Sequence, residues 1–283
     1  MSALRGDAVV DTHVHVTSAD TRRYPRTEPA PGATWFVDRP LDVNGLLRDM
    51  DEAGVAKAVV VQGLGPYAFD NRYLLDAVPQ DLARLAAVVA VDPTDPAAPA
   101  TMARLAKHPY VRAVRLPAGT ARRSDWLSDA RADRVWRAAA DLRLSLVLWV
   151  TEDALAELAA VVSRHPDVPV ALDHCGGATF RRDDDSVAAT ALLAFVPLEH
   201  VLLKVTTAVL DVADALDDPA PLGAWLAEHF GSRRLMWGSN HPASGGRSYR
   251  EMRDLLERAV ARLASSARTD VRGATAARLY RLG

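Results

Sequence analysis

Residues 8–16 read Ala8-Val9-Val10-Asp11-Thr12-His13-Val14-His15-Val16, an apolar run that breaks into polar/apolar alternation. The apolar part, 8–10, has the look of a parallel strand covered on both faces. In extended backbone, residues i and i+2 share a face, so His13 and His15 project together from the strand's end. Seven further runs follow at 56–62, 85–91, 111–116, 145–150, 170–172, 201–205 and 235–238, most of them continuously apolar. Helical patterns alternate with them at 43–53, 71–77, 98–107, 134–141, 154–164, 187–195, 221–230 and 249–265. Eight strand–helix beats predict an α/β fold of the (β/α)8 TIM-barrel kind. An open nucleotide-binding sheet would want a glycine-rich first turn, and none follows the first strand. Gly54 is expected to end the first helix in left-handed backbone, and Thr151 to cap the fifth.

Composition bounds the partners. The chain has 283 residues, 49% hydrophobic and 25% charged, enough apolar material for one large core, so a single domain over 1–283 is expected. Thirty-four Lys and Arg stand against 36 Asp and Glu, a net charge of -2, which leaves no single-sign field for nucleic acid or an anionic membrane. No run reaches the roughly 18 apolar residues of a membrane span. Arg5 and Asp7 stand where a signal peptide needs its apolar stretch, so the mature protein is expected to start here. The single cysteine, Cys175, excludes an intrachain disulfide framework and favours a buried apolar role. The expected setting is the cytoplasm and the expected partner a small-molecule substrate, with a homo-oligomer left open.

The strand ends supply a ring of polar residues. Gln62 closes the second strand, Arg115 lies in the fourth and Trp149 near the end of the fifth. His174 follows the sixth in Leu172-Asp173-His174-Cys175-Gly176-Gly177, Lys204 lies in the seventh, and Asn240 and His241 follow the eighth. A charge inside an apolar strand is costly unless a partner or ligand satisfies it. Arg115 and Lys204 are therefore expected either to grip a substrate carboxylate or to form an ion pair across the barrel top. His13 and His15 can share a metal ion or an oxyanion, or be a satisfied structural pair. The loops 17–40, 67–70 and 179–186, the last containing a charged Arg-Arg-Asp-Asp-Asp run, are expected to shape the entrance, with Tyr67 and Asn71 among the substrate contacts.

Taken in order, Asp11-Thr12-His13-Val14-His15-Val16, the segments 53–62 and 70–78, the run 111–116, the segment 165–176, Leu202–Val205, Leu235–Pro242 and the segment 277–282 resemble the amidohydrolase-2 branch of the amidohydrolase superfamily. The likeness is strongest to its lactonase-like members, such as the 2-pyrone-4,6-dicarboxylate, sulfomuconolactone and L-fuconolactone hydrolases. It implies hydrolysis of a lactone or related cyclic ester, with His13, His15 and His174 at the superfamily's histidine positions and Arg115 on a substrate carboxylate. Two departures follow. Trp149 stands nearest the place of the fifth-strand metal histidine, and Asn240 replaces the eighth-strand aspartate that takes the proton of the attacking water. A carboxamide can orient a water but cannot accept its proton.

Three remedies present themselves. One divalent ion, zinc or manganese, on His13, His15 and His174 would make hydroxide near neutral pH. Alternatively, a metal-free His13 or His174 serves as base, oriented by Asp11 or Asp173. In the third, the pocket has changed or lost its chemistry, as a decarboxylase, another lyase, isomerase or cyclase, or a non-catalytic binder.

Overall fold

The computed structural model describes residues 8–29, 34–118, 126–127, 130–178, 180, 191–215 and 218–283. Eight strands follow one another around a single sheet, each parallel to the next: β1 (Val9–Val14), β2 (Val55–Val61), β3 (Leu85–Ala90), β4 (Val111–Ala118), β5 (Ser145–Val150), β6 (Val170–Leu172), β7 (Val201–Thr206) and β8 (Leu235–Gly238). With helices between them, this is the (β/α)8 barrel that the eight beats predict. Among the described residues no helix is long and apolar enough to cross a membrane.

The seam between β8 and β1 closes just beyond the end of β8. A single parallel bridge joins Val14 to His241. The His15 amide donates to the His241 carbonyl at 2.8 Å, and the Asn240 amide to the His13 carbonyl at 2.7 Å. The Thr12 hydroxyl adds a bond to the Trp237 carbonyl at 2.6 Å. Gly238 permits this approach, since a Cβ there would lie 2.7 Å from the Cβ of His13.

Strand alternation builds two cores. The larger lies between the sheet and the helices. The smaller, Val10, Val59, Val61, Val88, Ala113, Val147, Ala171 and Met236, fills the lower barrel, and Tyr280 closes it from below. With a period of two, the residues above Ala113, Ala171 and Leu202 on the same face are Arg115, Asp173 and Lys204. The barrel interior thus passes from an apolar floor to a charged layer within one step along each strand.

Several helix expectations are corrected. The helix Val43–Ala53 runs as expected and ends at Gly54 with φ 70°. Thr151 makes no side-chain cap, because a tight turn, Glu152–Ala154, intervenes before the helix Leu155–Val162. The pattern at 249–265 divides into Tyr249–Ala259, opened by a reciprocal Ser248–Glu251 cap, and Ser265–Thr269, which continues through a widened turn into Thr275–Tyr280. Short helices also form at Trp35–Asp38, inside the expected loop 17–40, and at Thr207–Ala215 after β7. Of the expected helix 187–195, residues 187–190 lie outside the described residues, as does nearly all of the charged loop 179–186.

Candidate active site

A carboxylate with no solvent exposure sits at the centre of the charged layer. Asp173 Oδ1 lies 3.0 Å from His13 Nδ1, and Oδ2 accepts from Arg115 Nε at 2.8 Å. Lys204 Nζ stands 3.1 Å from Oδ1, close enough for an ion pair but not aligned as a directed hydrogen bond. His13 and Lys204 are as deeply buried as Asp173, and Arg115 nearly so. The short β6 ends in a sharp turn, Asp173–Gly177, in which His174 and Cys175 hold left-handed backbone at φ 53° and 49° before two glycines. Strained backbone of this kind persists only where its surroundings enforce it. Here it leaves Asp173 among the interior charges while His174 Nδ1 reaches Thr206 Oγ1 at 2.8 Å.

Burial disfavours charge on Asp173, but Lys204, His13 and Arg115 outweigh it and hold the carboxyl well below its ordinary value of 3.8. Burial also draws Lys204 down, against the pull of Asp173. The three imidazoles are all depressed by burial: His13 well below 6.5, His15 to about 3 with help from the Arg115 charge, and His174 to about 4. They are neutral at pH 7.

Neutrality fixes the tautomers. A carboxylate only accepts, so His13 donates from Nδ1 to Asp173, and its Nε2 keeps a lone pair. That Nε2 is buried and, among the described residues, has no partner. His15 likewise donates from Nδ1 to the Val61 carbonyl at 2.8 Å, freeing its own Nε2. The ring of His13 stands 4.9 Å from those of both His15 and His174. Trp35 stacks on His15 at 5.3 Å, and the Arg115 guanidinium lies 5.9 Å from the Trp149 ring.

The other expected contacts hold loops in place. Arg115 Nη1 donates to the Gln62 carbonyl at 3.3 Å, while the Gln62 side chain donates to the Asp70 carbonyl at 2.8 Å. Asn71 exchanges two bonds with the Ala90 backbone, at 2.9 and 2.8 Å. The Tyr67 hydroxyl accepts from the Ser18 amide at 2.8 Å. Asn240 has left-handed backbone, φ 58°, and donates to Ser244 Oγ at 3.1 Å. His241 packs between two outer helices, its Nε2 2.8 Å from Asp49 Oδ2 and its ring stacked on Tyr249 at 4.7 Å. Cys175 is fully buried, its sulfur 3.6 Å from the Lys204 carbonyl, and burial pushes its thiol far up. Of the two carboxylates weighed as orienters of a histidine, Asp173 does so and Asp11 does not.

Trp35, Thr206, Asp49 and Tyr249 escaped the sequence reading. Thr206 had a signal, since it lies two residues beyond Lys204 on the same strand face. Trp35 had none, lying in an aperiodic loop.

An imidazole with Nδ1 held by a carboxylate and Nε2 free is also how metal ligands are presented. Yet among the described residues no three His, Cys, Asp or Glu side chains come together as an ion site. Asp173, the nearest acid, spends both oxygens on His13, Arg115 and Lys204. As built, the group does not fit a three-ligand ion; it fits an acid–base centre beside fixed positive charge.

The amidohydrolase family pattern matches residues 10–282, from within β1 to beyond Tyr280. The chain belongs to the amidohydrolase family. This amidohydrolase is 31% identical over 208 residues to an L-fucono-1,5-lactonase of Burkholderia ambifaria, covering 72% of this chain and 70% of that one. It is 27% identical over 237 residues to a 4-sulfomuconolactone hydrolase of Rhizobium radiobacter, covering 83% and 76%. A Burkholderia multivorans amidohydrolase crystallised with zinc shares the fold at a TM-score of 0.76 and 24% identity, over 98% of this amidohydrolase and 100% of that chain.

Proposed function

We propose that this amidohydrolase opens a lactone or related cyclic ester of a small polar acid, with His13 as its base. The observation that carries this is the buried Nε2 of His13, unpartnered among the described residues, whose lone pair is fixed by the bond from Nδ1 to Asp173. The similarity to two lactone hydrolases supports the same bond type.

In this reading a water gives its proton to His13 Nε2 as its oxygen adds to the ring carbonyl carbon. Asp173 stabilises the imidazolium that forms, the role such carboxylates play in hydrolytic triads. A Thr206 hydroxyl donating to His174 Nδ1 leaves His174 with an Nε2–H directed at the developing oxyanion. Collapse of the adduct breaks the ring C–O bond, and the His13 imidazolium returns its proton to the leaving alkoxide, giving a hydroxy acid. Asn240, tied to Ser244 through Nδ2, offers Oδ1 to orient the water. Arg115 supplies the charge for a substrate carboxylate, whereas the fully buried Lys204 keeps Asp173 ionised.

Because Arg115 and Lys204 outnumber Asp173, the carboxylate they share, anionic lactones are the favoured substrates. A cytoplasmic setting suits the lone reduced thiol. Purified protein should open at least one of L-fucono-1,5-lactone, a muconolactone and 2-pyrone-4,6-dicarboxylate, followed by acid release. Failure on all three, with and without added zinc or manganese, overturns the proposal.

A further inference from the structure

Trp126, Trp136 and Trp237 are fully buried in the core, whereas Trp35 and Trp149 stay partly exposed at the charged end of the barrel. Trp149 lies two residues above Val147 of the apolar floor, so the interior face of β5 carries its indole into the barrel mouth. The Arg115 guanidinium is 5.9 Å from that ring. Trp35 stands on the other side. It stacks on His15 just beyond β1, with 5.3 Å between centroids and 27° between planes. In an eight-stranded barrel that closes between β8 and β1, β1 and β5 face each other across the interior. The two indoles thus border the imidazoles and Arg115 from opposite walls.

The Trp35 wall is held in place. Arg26 donates to the Phe36 carbonyl at 2.7 Å and to the Ser18 carbonyl at 2.6 Å, which ties the helix Trp35–Asp38 to the chain leaving β1. A Cβ added at Gly63 or Gly65 would touch the indole, at 3.6 and 3.8 Å, so the ring rests against bare backbone after β2.

The polar side chains around the mouth are spent on the protein itself. Gln62 and Asn71 donate their amides to backbone carbonyls, the Tyr67 hydroxyl accepts from Ser18, and the Asn240 amide donates to Ser244. The lone pairs on His13 and His15 belong to the reacting centre. Among the described residues little is left to pair with the hydroxyls of a sugar ring, and a hydroxyl that loses water without a partner weakens binding. A flat unsaturated ring has no such hydroxyls and offers two π-faces to aromatic walls.

We infer that Trp35 and Trp149 determine specificity, forming a slot for a flat, unsaturated lactone whose carboxylate meets Arg115, in preference to a polyhydroxylated sugar lactone. The inference rests on the lactonase reading for the bond that is broken, but not for the ring that is bound. Titration calorimetry on the full chain with isophthalate and its cis-cyclohexane counterpart tests it, since the two acids carry the same charge on a flat and a puckered ring. Isophthalate should bind at least about tenfold tighter, the scale of one aromatic stacking contact. Trp35→Ala and Trp149→Ala should each cost isophthalate about tenfold while leaving the puckered acid within about threefold; Trp35→Phe should keep most of the affinity. Equal binding of the two acids, no binding of either at millimolar concentration, or a loss shared equally by both acids in the Ala variants overturns the proposal. In turnover, kcat/KM for 2-pyrone-4,6-dicarboxylate should exceed that for L-fucono-1,5-lactone by about 10²-fold, and the reverse order overturns it as well. If no lactone is opened, the hydrolytic reading fails and the two acids alone decide the slot.

Discussion

Asp11 and Asp173 are both fully buried carboxylates at strand ends of one barrel, yet their protonation is driven in opposite directions. Asp11 meets only neutral donors: the amides of His13 and Ser239, each at 2.9 Å, and the Tyr249 hydroxyl at 2.8 Å. Burial wins there, and its pKa rises; the Tyr249 phenol is pushed well above 10 by burial and by Asp11. Asp173 meets an ammonium, a guanidinium and an imidazole, and stays ionised. Burial alone therefore does not set the state of a carboxylate; the charge of its partners does. One aspartate pins the seam of the barrel, and the other polarises a histidine.

Replacing the charged member should do the most damage. Asp173→Asn leaves Lys204 and Arg115 without compensation, so stability should fall by about 3–5 kcal/mol, read from denaturant unfolding. Lactone turnover should fall by about 10³–10⁴-fold through loss of the His13 tautomer. His13→Gln should lower kcat by about 10²–10⁴-fold, and equal activity in that variant would move the base to His15 or His174. Asp11→Asn should be far milder, keeping kcat within about threefold and costing under about 2 kcal/mol, because an amide can still accept from the two backbone N–H groups.

Acid titration of stability sharpens the contrast. Asp173, held below 3.8, contributes stability that is complete above 3.8 and is lost as the pH falls from there toward its own lower pKa. Asp11, raised above 3.8, has the opposite sign: its contribution is complete below 3.8 and declines as the pH climbs through the folded value. Unfolding midpoints from about pH 3 to 7 should show wild type gaining on Asp173→Asn in the acid window and losing ground to Asp11→Asn above it. Parallel curves would mean that the two sites share one environment. The smallest effect should come from metal removal. With both Asp173 oxygens committed to cations of the chain itself, dialysis against a chelator should change turnover by less than about twofold; a larger loss restorable by zinc would assign the three histidines to an ion.

The strands were legible because burial on both faces writes itself as unbroken apolar runs, and His13 and His15 because a period of two puts them on one face. The same period places Lys204 inside the barrel but cannot say what it meets, since Asp173 lies 31 positions away in the chain. Asp11 and Asp173 looked equivalent as orienters of a histidine; only the fold assigns cations to one and amides to the other. Gln62 looked like a substrate contact because it is polar at a strand end, and Asn71 because it borders an entrance loop, whereas neighbouring backbone claims both side chains. Thr151 had the right side chain for a cap, but the intervening turn displaced it.

Seven of the eight strand junctions are ladders, and the eighth is a clasp made of one bridge, the Asn240 amide on the His13 carbonyl, a hydroxyl and the carboxylate of Asp11. His13 and His15 ride on that clasp. Gentle heating should therefore silence the enzyme while most of its circular dichroism survives, because the junction that lacks a regular ladder carries the chemistry.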